Sequence, residues 1–455
     1  LQPPAAGEVA VIGLGRSGAA ATELLLARGY AVYACDDGES QKLGGIADQL
    51  RMRGAAVQAG GHDAQRVARA ALVVVSPGVP PASDSLVSAR AASREIISEI
   101  ELALRCDPDL RYIAVTGTNG KTTTTALTGH ILRALGQNAP DAGNIGTPLS
   151  SVVSDPIRAD WVSLELSSFQ LHDTPSVEPA VGVLTNLSPD HLDRYASVGE
   201  YFADKALLFR NATAESRWVM NADDPESLRL AGDVAGEHFR FSVVEQADAW
   251  YNRGARSLVA LGAPLLPRAE LRLLGDHNVA NALAASLAVM CAAPEFRSAD
   301  ARAAIADAIR SFHALPNRLE SVGEWDGVEW INDSKATNVA STQVAVQGMT
   351  RPTILLLGGR HKGEPYTALA DPVRSHVKQV IAFGEAGPII QQDLGGLAPL
   401  VLVTGSFEDV IAAARSLARA GDAVLLSPAC SSYDMFNNYM ERGDRFRALA
   451  HDHHD

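Results

Sequence analysis

The chain has 455 residues, of which 47% are hydrophobic and 20% charged, and its formal net charge is −14. That length exceeds one compact core and favours about three domains, while the apolar content excludes disorder as the main state. The acidic balance argues against a basic footprint for nucleic acid or anionic lipid, yet local cations can still hold an anionic substrate.

Val9 to Ile12 reads as a strand running into Gly13-Leu14-Gly15-Arg16-Ser17-Gly18. An Ala/Leu-rich helix from Ala19 to Arg28 and a strand from Tyr30 to Cys35 complete a βαβ start. A buried strand, Ala71 to Val75, ends in the turn Ser76-Pro77-Gly78. A second unit begins at Arg111: the strand Tyr112 to Val115 enters Thr116-Gly117-Thr118-Asn119-Gly120-Lys121-Thr122, and a helix continues to about Leu135. Further strands are expected at Trp161 to Leu166, Ala180 to Leu184 and Trp218 to Asn221, each with a polar carboxyl end, where open α/β sheets place ligands. The segment around Ala263-Pro264 and Pro267 reads as loop. A third unit begins near Pro316, with strands at Thr353 to Leu357, Gln379 to Phe383, Leu400 to Val403 and Ala423 to Leu426. The terminal His451-Asp452-His453-His454-Asp455 reads as a solvated end rather than a metal site. Cys35, Cys106, Cys291 and Cys430 form no CxxC pair, which suits a reducing compartment and offers no zinc framework. No apolar run is long enough to span a bilayer, and no basic stretch precedes an apolar one at the start, so a cytoplasmic protein is expected.

The strongest chemical signal is the loop from Thr116 to Thr122. Backbone N–H groups of a Gly-rich loop at a helix N-terminus wrap phosphate oxygens, Lys121 reaches the β/γ-phosphates, and the Thr122 hydroxyl can ligate Mg²⁺. Val115 stands where a full Walker A has glycine. Gly13, Gly15 and Gly18 make a GxGxxG turn, with Asp36 at the distance of a ribose-binding carboxylate, a pattern shared by dinucleotide and nucleoside-diphosphate sites. Glu165, an acid between leucines at a strand end, reads as a Mg²⁺ ligand near the loop. His191 stands open between metal ligand, acid/base and helix cap. Lys205 by itself reads as a solvated helix lysine, and Asn278 and Asn281 as a cap and its neighbour.

Taken in order, Gly117 to Thr123, Glu165-Leu166-Ser167-Ser168, Asp190-His191, His277-Asn278 to Asn281, Pro316 to Glu320 and Asn332 to Asn338 resemble the Mur ligase family over nearly the whole chain. The Gly13 to Gly18 turn, Ser76-Pro77-Gly78 and Ser427 to Asp434 are similar to the members that add D-glutamate. The resemblance implies an α/β protein of three domains: a Rossmann-like UDP-binding domain (1–98), a central P-loop ATPase domain with a mainly parallel sheet (99–314), and a Rossmann-like C-terminal domain (315–455) that holds the amino acid and closes over the site. It implies an ATP-dependent ligase joining glutamate, D rather than L, to UDP-N-acetylmuramoyl-L-alanine through an acyl phosphate, acting as a monomer with two Mg²⁺ ions. A relative adding another amino acid and a non-catalytic dinucleotide-binding protein are the alternatives.

By the same resemblance, Gly117, Thr118, Asn119, Gly120, Lys121, Thr122, Thr123, Asn281, Arg318 and Asp333 contact ATP. Thr122 and Glu165 hold one Mg²⁺ and His191 a second, and Lys205, carbamylated, is a carboxylate-like Mg²⁺ ligand. Gly15, Ser17, Gly18, Asp36, Ser76, Pro77, Gly78, Asn144, Ser167 and Gln170 contact the UDP substrate, and Lys335, Thr337, Lys362, Ser432 and Tyr439 the glutamate. Two positions depart from the family pattern: Asp37-Gly38 adds an acid after Asp36, and Tyr439 stands where phenylalanine is expected.

Overall fold

The computed structural model describes residues 7–190 and 194–451. Their strands form three sheets. Glu8–Ile12 (β1), Ala31–Asp36 (β2), Ala56–Ala59 (β3), Leu72–Val75 (β4) and Ile96–Ser98 (β5) are all parallel, in the order β3-β2-β1-β4-β5. β1 reads as an unbroken apolar run because both faces are covered; Val9, Ala10 and Val11 have no exposure at all. The strand order reverses between β1 and β4, and ligands of open α/β sheets bind beyond the carboxyl ends at such a point. The glycine turn and Ser76 follow those two ends.

The second sheet is built on Tyr112–Thr116 (β6), Asp141–Gly143 (β7), Val162–Glu165 (β8), Val181–Leu184 (β9), Arg217–Asn221 (β10), Glu237–Ser242 (β11) and Ala249–Asn252 (β12), all parallel. Ser257–Ala260 (β13) and Ala263–Pro267 (β14) add an antiparallel edge, giving the order β14-β13-β12-β11-β10-β9-β6-β8-β7. The loop reading at Ala263 to Pro267 is therefore wrong. An edge strand tolerates proline because nothing need pair with its outer side.

In the third sheet, Glu320–Trp325 (β15) and Val328–Asn332 (β16) form a hairpin turned at Asp326-Gly327, with φ of 53° and 73°. Two left-handed residues in succession are the turn that Asp-Gly favours. Thr353–Gly358 (β17), Val377–Phe383 (β18), Leu400–Val403 (β19) and Ala423–Leu426 (β20) continue it in parallel, in the order β15-β16-β20-β17-β18-β19. The described chain falls into two compact units, one of the residues up to Arg268 together with Ala280–Arg310, the other of Ala269–Val279 and the residues from Ser311 on. All four cysteines are free thiols, and among the described residues no helix is long and apolar enough to cross a membrane.

Where the first sheet leads into the second, Ser98 caps the helix Glu99–Cys106, accepting the Glu101 N–H at 3.0 Å. Glu99 beside it is buried, and its carboxylate accepts the Ser150 N–H at 2.5 Å. The other oxygen has no hydrogen-bond partner among the described residues, and burial pushes the carboxyl up to about 7. Between the unfolded value near 4.5 and about 7, the native carboxyl keeps a proton that the unfolded chain has lost. The folded state then binds more protons, so stability falls as pH rises through that window and levels off above it, by about 3 kcal/mol in all. Glu99→Gln retains an acceptor for Ser150 and cannot ionise. Its melting temperature relative to the parent is expected to rise from pH 5 to pH 8; an offset equal at both pH values would show that Glu99 does not titrate in this window.

Candidate active site

β6 lies between β9 and β8, so three carboxyl ends converge on the loop Gly117–Gly120. Gly117 has φ of +138°, and a Cβ there would meet the Thr185 hydroxyl at 2.0 Å, so only glycine fits. Asn186 braces the loop from β9: its backbone carbonyl accepts the Thr118 N–H at 2.8 Å and its side chain the Asn119 N–H at 2.9 Å. Asn281 stands on the other side; it accepts the Thr124 hydroxyl at 3.2 Å, and its Oδ1 would lie 2.5 Å from a Cβ on Gly120. Asn281 is thus more than a helix cap. The Lys121 ammonium donates to the Gly117 and Thr118 carbonyls at 2.9 and 2.7 Å, which folds it against the loop. Thr122 and Thr123 follow in the first turn of the helix Lys121–Ala134.

Glu165 ends β8 and is 1% exposed. The Asn144 amide donates to its Oε1 at 2.6 Å, while Oε2 has no hydrogen-bond partner among the described residues. A buried carboxylate oxygen left in that state is costly unless a cation or donor meets it, and a hard divalent cation fits. Lys205 is buried at 1% exposure, against the reading of a solvated lysine, and donates to the Thr116 hydroxyl at 3.1 Å. Burial holds its amine well below the ordinary lysine value, helped by the Lys121 charge and opposed by Glu165, Asp190 and Asp204. An ammonium does not suit a cation site, whereas a carbamate does. Among the described residues no three His, Cys, Asp or Glu side chains cluster as a metal site. His191 lies outside the described residues.

A pocket at the carboxyl ends of β1 and β4 is lined by Gly15, Arg16, Ser17, Asp36, Asp37 and Ser76 to Pro80, among others. A Cβ on Gly18 would fall 1.8 Å from the Gly13 carbonyl, so this glycine lets the helix Arg16–Ala27 approach the turn. The Ser76 hydroxyl donates to that same carbonyl at 2.8 Å. The two oxygens of Asp36 accept the Leu14 and Gly38 N–H groups at 2.7 and 2.8 Å. Asp36 therefore shapes the turn itself. The extra acid, Asp37, meets His62 Nδ1 at 3.1 Å. Ser167 and Gln170 pair as a capping box for the helix Ser168–His172.

In the second unit, Asp333 accepts the Ser427 hydroxyl at 2.8 Å and the Leu319 N–H at 3.2 Å. Burial pushes it up to about 7, against those bonds and the Arg318 and Arg442 charges. Lys335 places its ammonium 5.2 Å from the centre of the Tyr439 ring. Lys362 donates to the Thr337 hydroxyl at 3.4 Å, and the adjoining segments meet where the Arg360 N–H donates to the Ser431 carbonyl at 2.9 Å. Ser432 follows, 2% exposed. Arg360, the rival cation beside Lys362, is engaged with both oxygens of Glu385 at 3.1 Å.

Sequence reasoning missed Asn186 as a loop brace. Its only signal was a polar residue two positions after a buried strand. It also missed the Lys205 environment, because a lysine among Ala, Asp and Ala carries no local sign of burial.

The chain matches the family descriptions "Mur ligase MurD-like, N-terminal domain" over residues 7–98, "Mur ligase middle domain" over 115–289 and "Mur ligase, glutamate ligase domain" over 317–430. It is 40% identical to the UDP-N-acetylmuramoylalanine–D-glutamate ligase of Acidobacterium capsulatum, covering 97% of this chain and 96% of that one. The protein of the same name from Salinibacter ruber is 40% identical with the same coverage. Among solved structures, a UDP-N-acetylmuramate-alanine ligase from Thermotoga maritima shares the fold at a TM-score of 0.60 and 20% identity, covering 97% of this chain and 98% of that one. A pseudomurein peptide ligase type C from Methanothermus fervidus does so at 0.60 and 20%, covering 92% and 96%. With three family domains in chain order and 40% identity along 97% of its length, the chain belongs to the Mur ligase family.

Proposed function

We propose that this protein is an ATP-dependent ligase that joins D-glutamate to UDP-N-acetylmuramoyl-L-alanine in the cytoplasm, a step of peptidoglycan precursor synthesis. The observation that carries the reading is a phosphate loop whose neighbouring strand presents Glu165, a buried carboxylate with one oxygen available to a cation. The 40% identity to relatives named for this reaction supports it.

A carboxylate acylates poorly, so the terminal alanine carboxylate first attacks the γ-phosphorus of ATP, releasing ADP and leaving an acyl phosphate. The glutamate amine then adds to the acyl carbon, the resulting tetrahedral intermediate expels phosphate, and the amine gives up its proton. The loop N–H groups and Lys121 hold the phosphates, and Asn281, Arg318 and Asp333 contribute to the nucleotide. Thr122, Glu165, His191 and carbamylated Lys205 would hold Mg²⁺, which would neutralise phosphate charge when bound. The first pocket takes the UDP moiety, and Lys335, Thr337, Lys362, Ser432 and Tyr439 hold glutamate. The Gly13 to Gly18 turn lies within residues 7–98, the span similar to the MurD-like N-terminal domain, which favours a UDP moiety there over a nicotinamide dinucleotide.

The test is phosphate release measured with D-glutamate and L-glutamate side by side, each with and without UDP-N-acetylmuramoyl-L-alanine. Release that needs both the UDP substrate and the D-enantiomer is expected. Nicotinamide binding with no ATP turnover would overturn the proposal. Within it, Lys362→Ala is expected to raise the glutamate KM at least ~10-fold, the scale of a lost charge-assisted hydrogen bond. The KM values for ATP and the UDP substrate should move little, as should all three in Arg360→Ala. An unchanged glutamate KM in Lys362→Ala moves the amino-acid site elsewhere.

A further inference from the structure

The segment Gly143 to Pro148 connects two parts of the first unit that the proposed reaction treats as separate sites. It is closed on itself: the Gly143 N–H donates to the Thr147 carbonyl and the Thr147 N–H to the Asp141 carbonyl, both at 3.1 Å. One residue of it, Asn144, is fastened to Glu165 twice, by its backbone N–H on the Glu165 carbonyl at 3.0 Å and by its amide on Oε1 at 2.6 Å. Two residues further on, the Gly146 carbonyl accepts a hydrogen bond from the Arg16 guanidinium. Arg16 opens the helix Arg16–Ala27 and lines the first-domain pocket, where it is the one cationic side chain among the described lining residues. Two of its companions there, Asp36 and Asp37, are acids.

A diphosphate entering a pocket with that acidic background needs a cation, and Arg16 is placed to provide it. A guanidinium offers five N–H donors in a rigid plane. One edge can stay on a carbonyl while another takes a phosphate oxygen. We infer that Arg16 is a positioning residue that couples the first-domain pocket to the cation site: a diphosphate fixes the guanidinium, the guanidinium fixes Gly146, and the closed loop then fixes Asn144 and the free oxygen of Glu165. The inference rests on the proposed UDP substrate. It goes beyond that proposal in assigning Arg16 a role in divalent-cation affinity as well as in substrate binding.

Coupling of this kind is reciprocal, so the substrate must tighten the cation by the factor with which the cation tightens the substrate. Mn²⁺ binding is followed by electron paramagnetic resonance in the presence of a non-hydrolysable ATP analogue, with and without UDP-N-acetylmuramoyl-L-alanine, whose own affinity is measured by calorimetry. In the parent protein the UDP substrate is expected to tighten Mn²⁺ at least ~5-fold, the lower end of typical coupling. Arg16→Ala should weaken the UDP substrate and abolish the Mn²⁺ effect. Arg16→Lys should recover part of the substrate affinity, because the charge is back, and none of the Mn²⁺ effect, because a compact ammonium lacks the fork. Arg16 is exposed, so both variants are expected to fold. Substrate binding without a Mn²⁺ effect in the parent, an undiminished effect in Arg16→Ala, or full recovery with lysine would each overturn the coupling while leaving the ligase reading intact. No binding of the UDP substrate by the parent would remove that reading and the coupling with it.

Discussion

Lys121→Ala is expected to lower turnover at least ~10²-fold, the loss usual when a preorganised group facing transition-state charge is removed. The ammonium is held against the phosphate loop by the Gly117 and Thr118 carbonyls at 2.9 and 2.7 Å, so little reorganisation separates it from a phosphate bound there. Alanine removes the charge and leaves those carbonyls to water. The loop itself should survive, since Asn186 and Thr185 brace it independently of Lys121 and Asn281 holds Thr124 in the helix that follows. The UDP substrate should therefore bind the variant as it binds the parent, when followed by calorimetry. Turnover within ~10-fold of the parent would remove the central role assigned to this loop.

The second large effect concerns Lys205. We propose its carbamylation on the ground that a buried amine beside Thr116, held well below the ordinary lysine value by desolvation, is neutral enough to attack carbon dioxide. The nitrogen lone pair forms the N–C bond and the nitrogen sheds a proton, leaving a carboxylate-like group where a neutral amine stood. Lys205→Ala is expected to lose ~10- to 100-fold in turnover, the scale on which loss of a group supporting a metal site is felt. Acetate should restore part of it by placing a carboxylate in the vacated space. Mass spectrometry of the intact parent under carbon dioxide, after chemical trapping of the carbamate, should show one added carboxyl on this residue. Full activity of Lys205→Ala, or no acetate rescue together with no trapped adduct, would sink the proposal.

What the sequence discloses and what it hides follow from range. The turn after β1 and the loop after β6 were legible because each is a contiguous strand, glycine-rich segment and helix, whose periodicity changes within a few residues. Glu165 was legible because an acid between leucines at a strand end has few bland explanations. Lys205 could not be read from its neighbours: its burial comes from packing of the helix Val198–Ala206 beside the P-loop strand, far away in sequence. The short edge strands β3, β5 and β7 carry too few residues for alternation to appear. The strand β14 was read as loop because Pro264 and Pro267 are ordinarily turn residues, and only its pairing with β13 outweighs that preference.

Those two prolines also bear on how copies of the chain meet. β14 is the outer strand of a nine-stranded sheet, and such a rim is a template on which another chain can add a strand. Pro264 and Pro267 are both exposed and neither has an N–H to offer, so an incoming strand meets a broken row of donors. Replacing both by valine would complete that row with residues that favour extended backbone, turning a guarded rim into an adhesive one. The sheet can thus be wide without being open-ended.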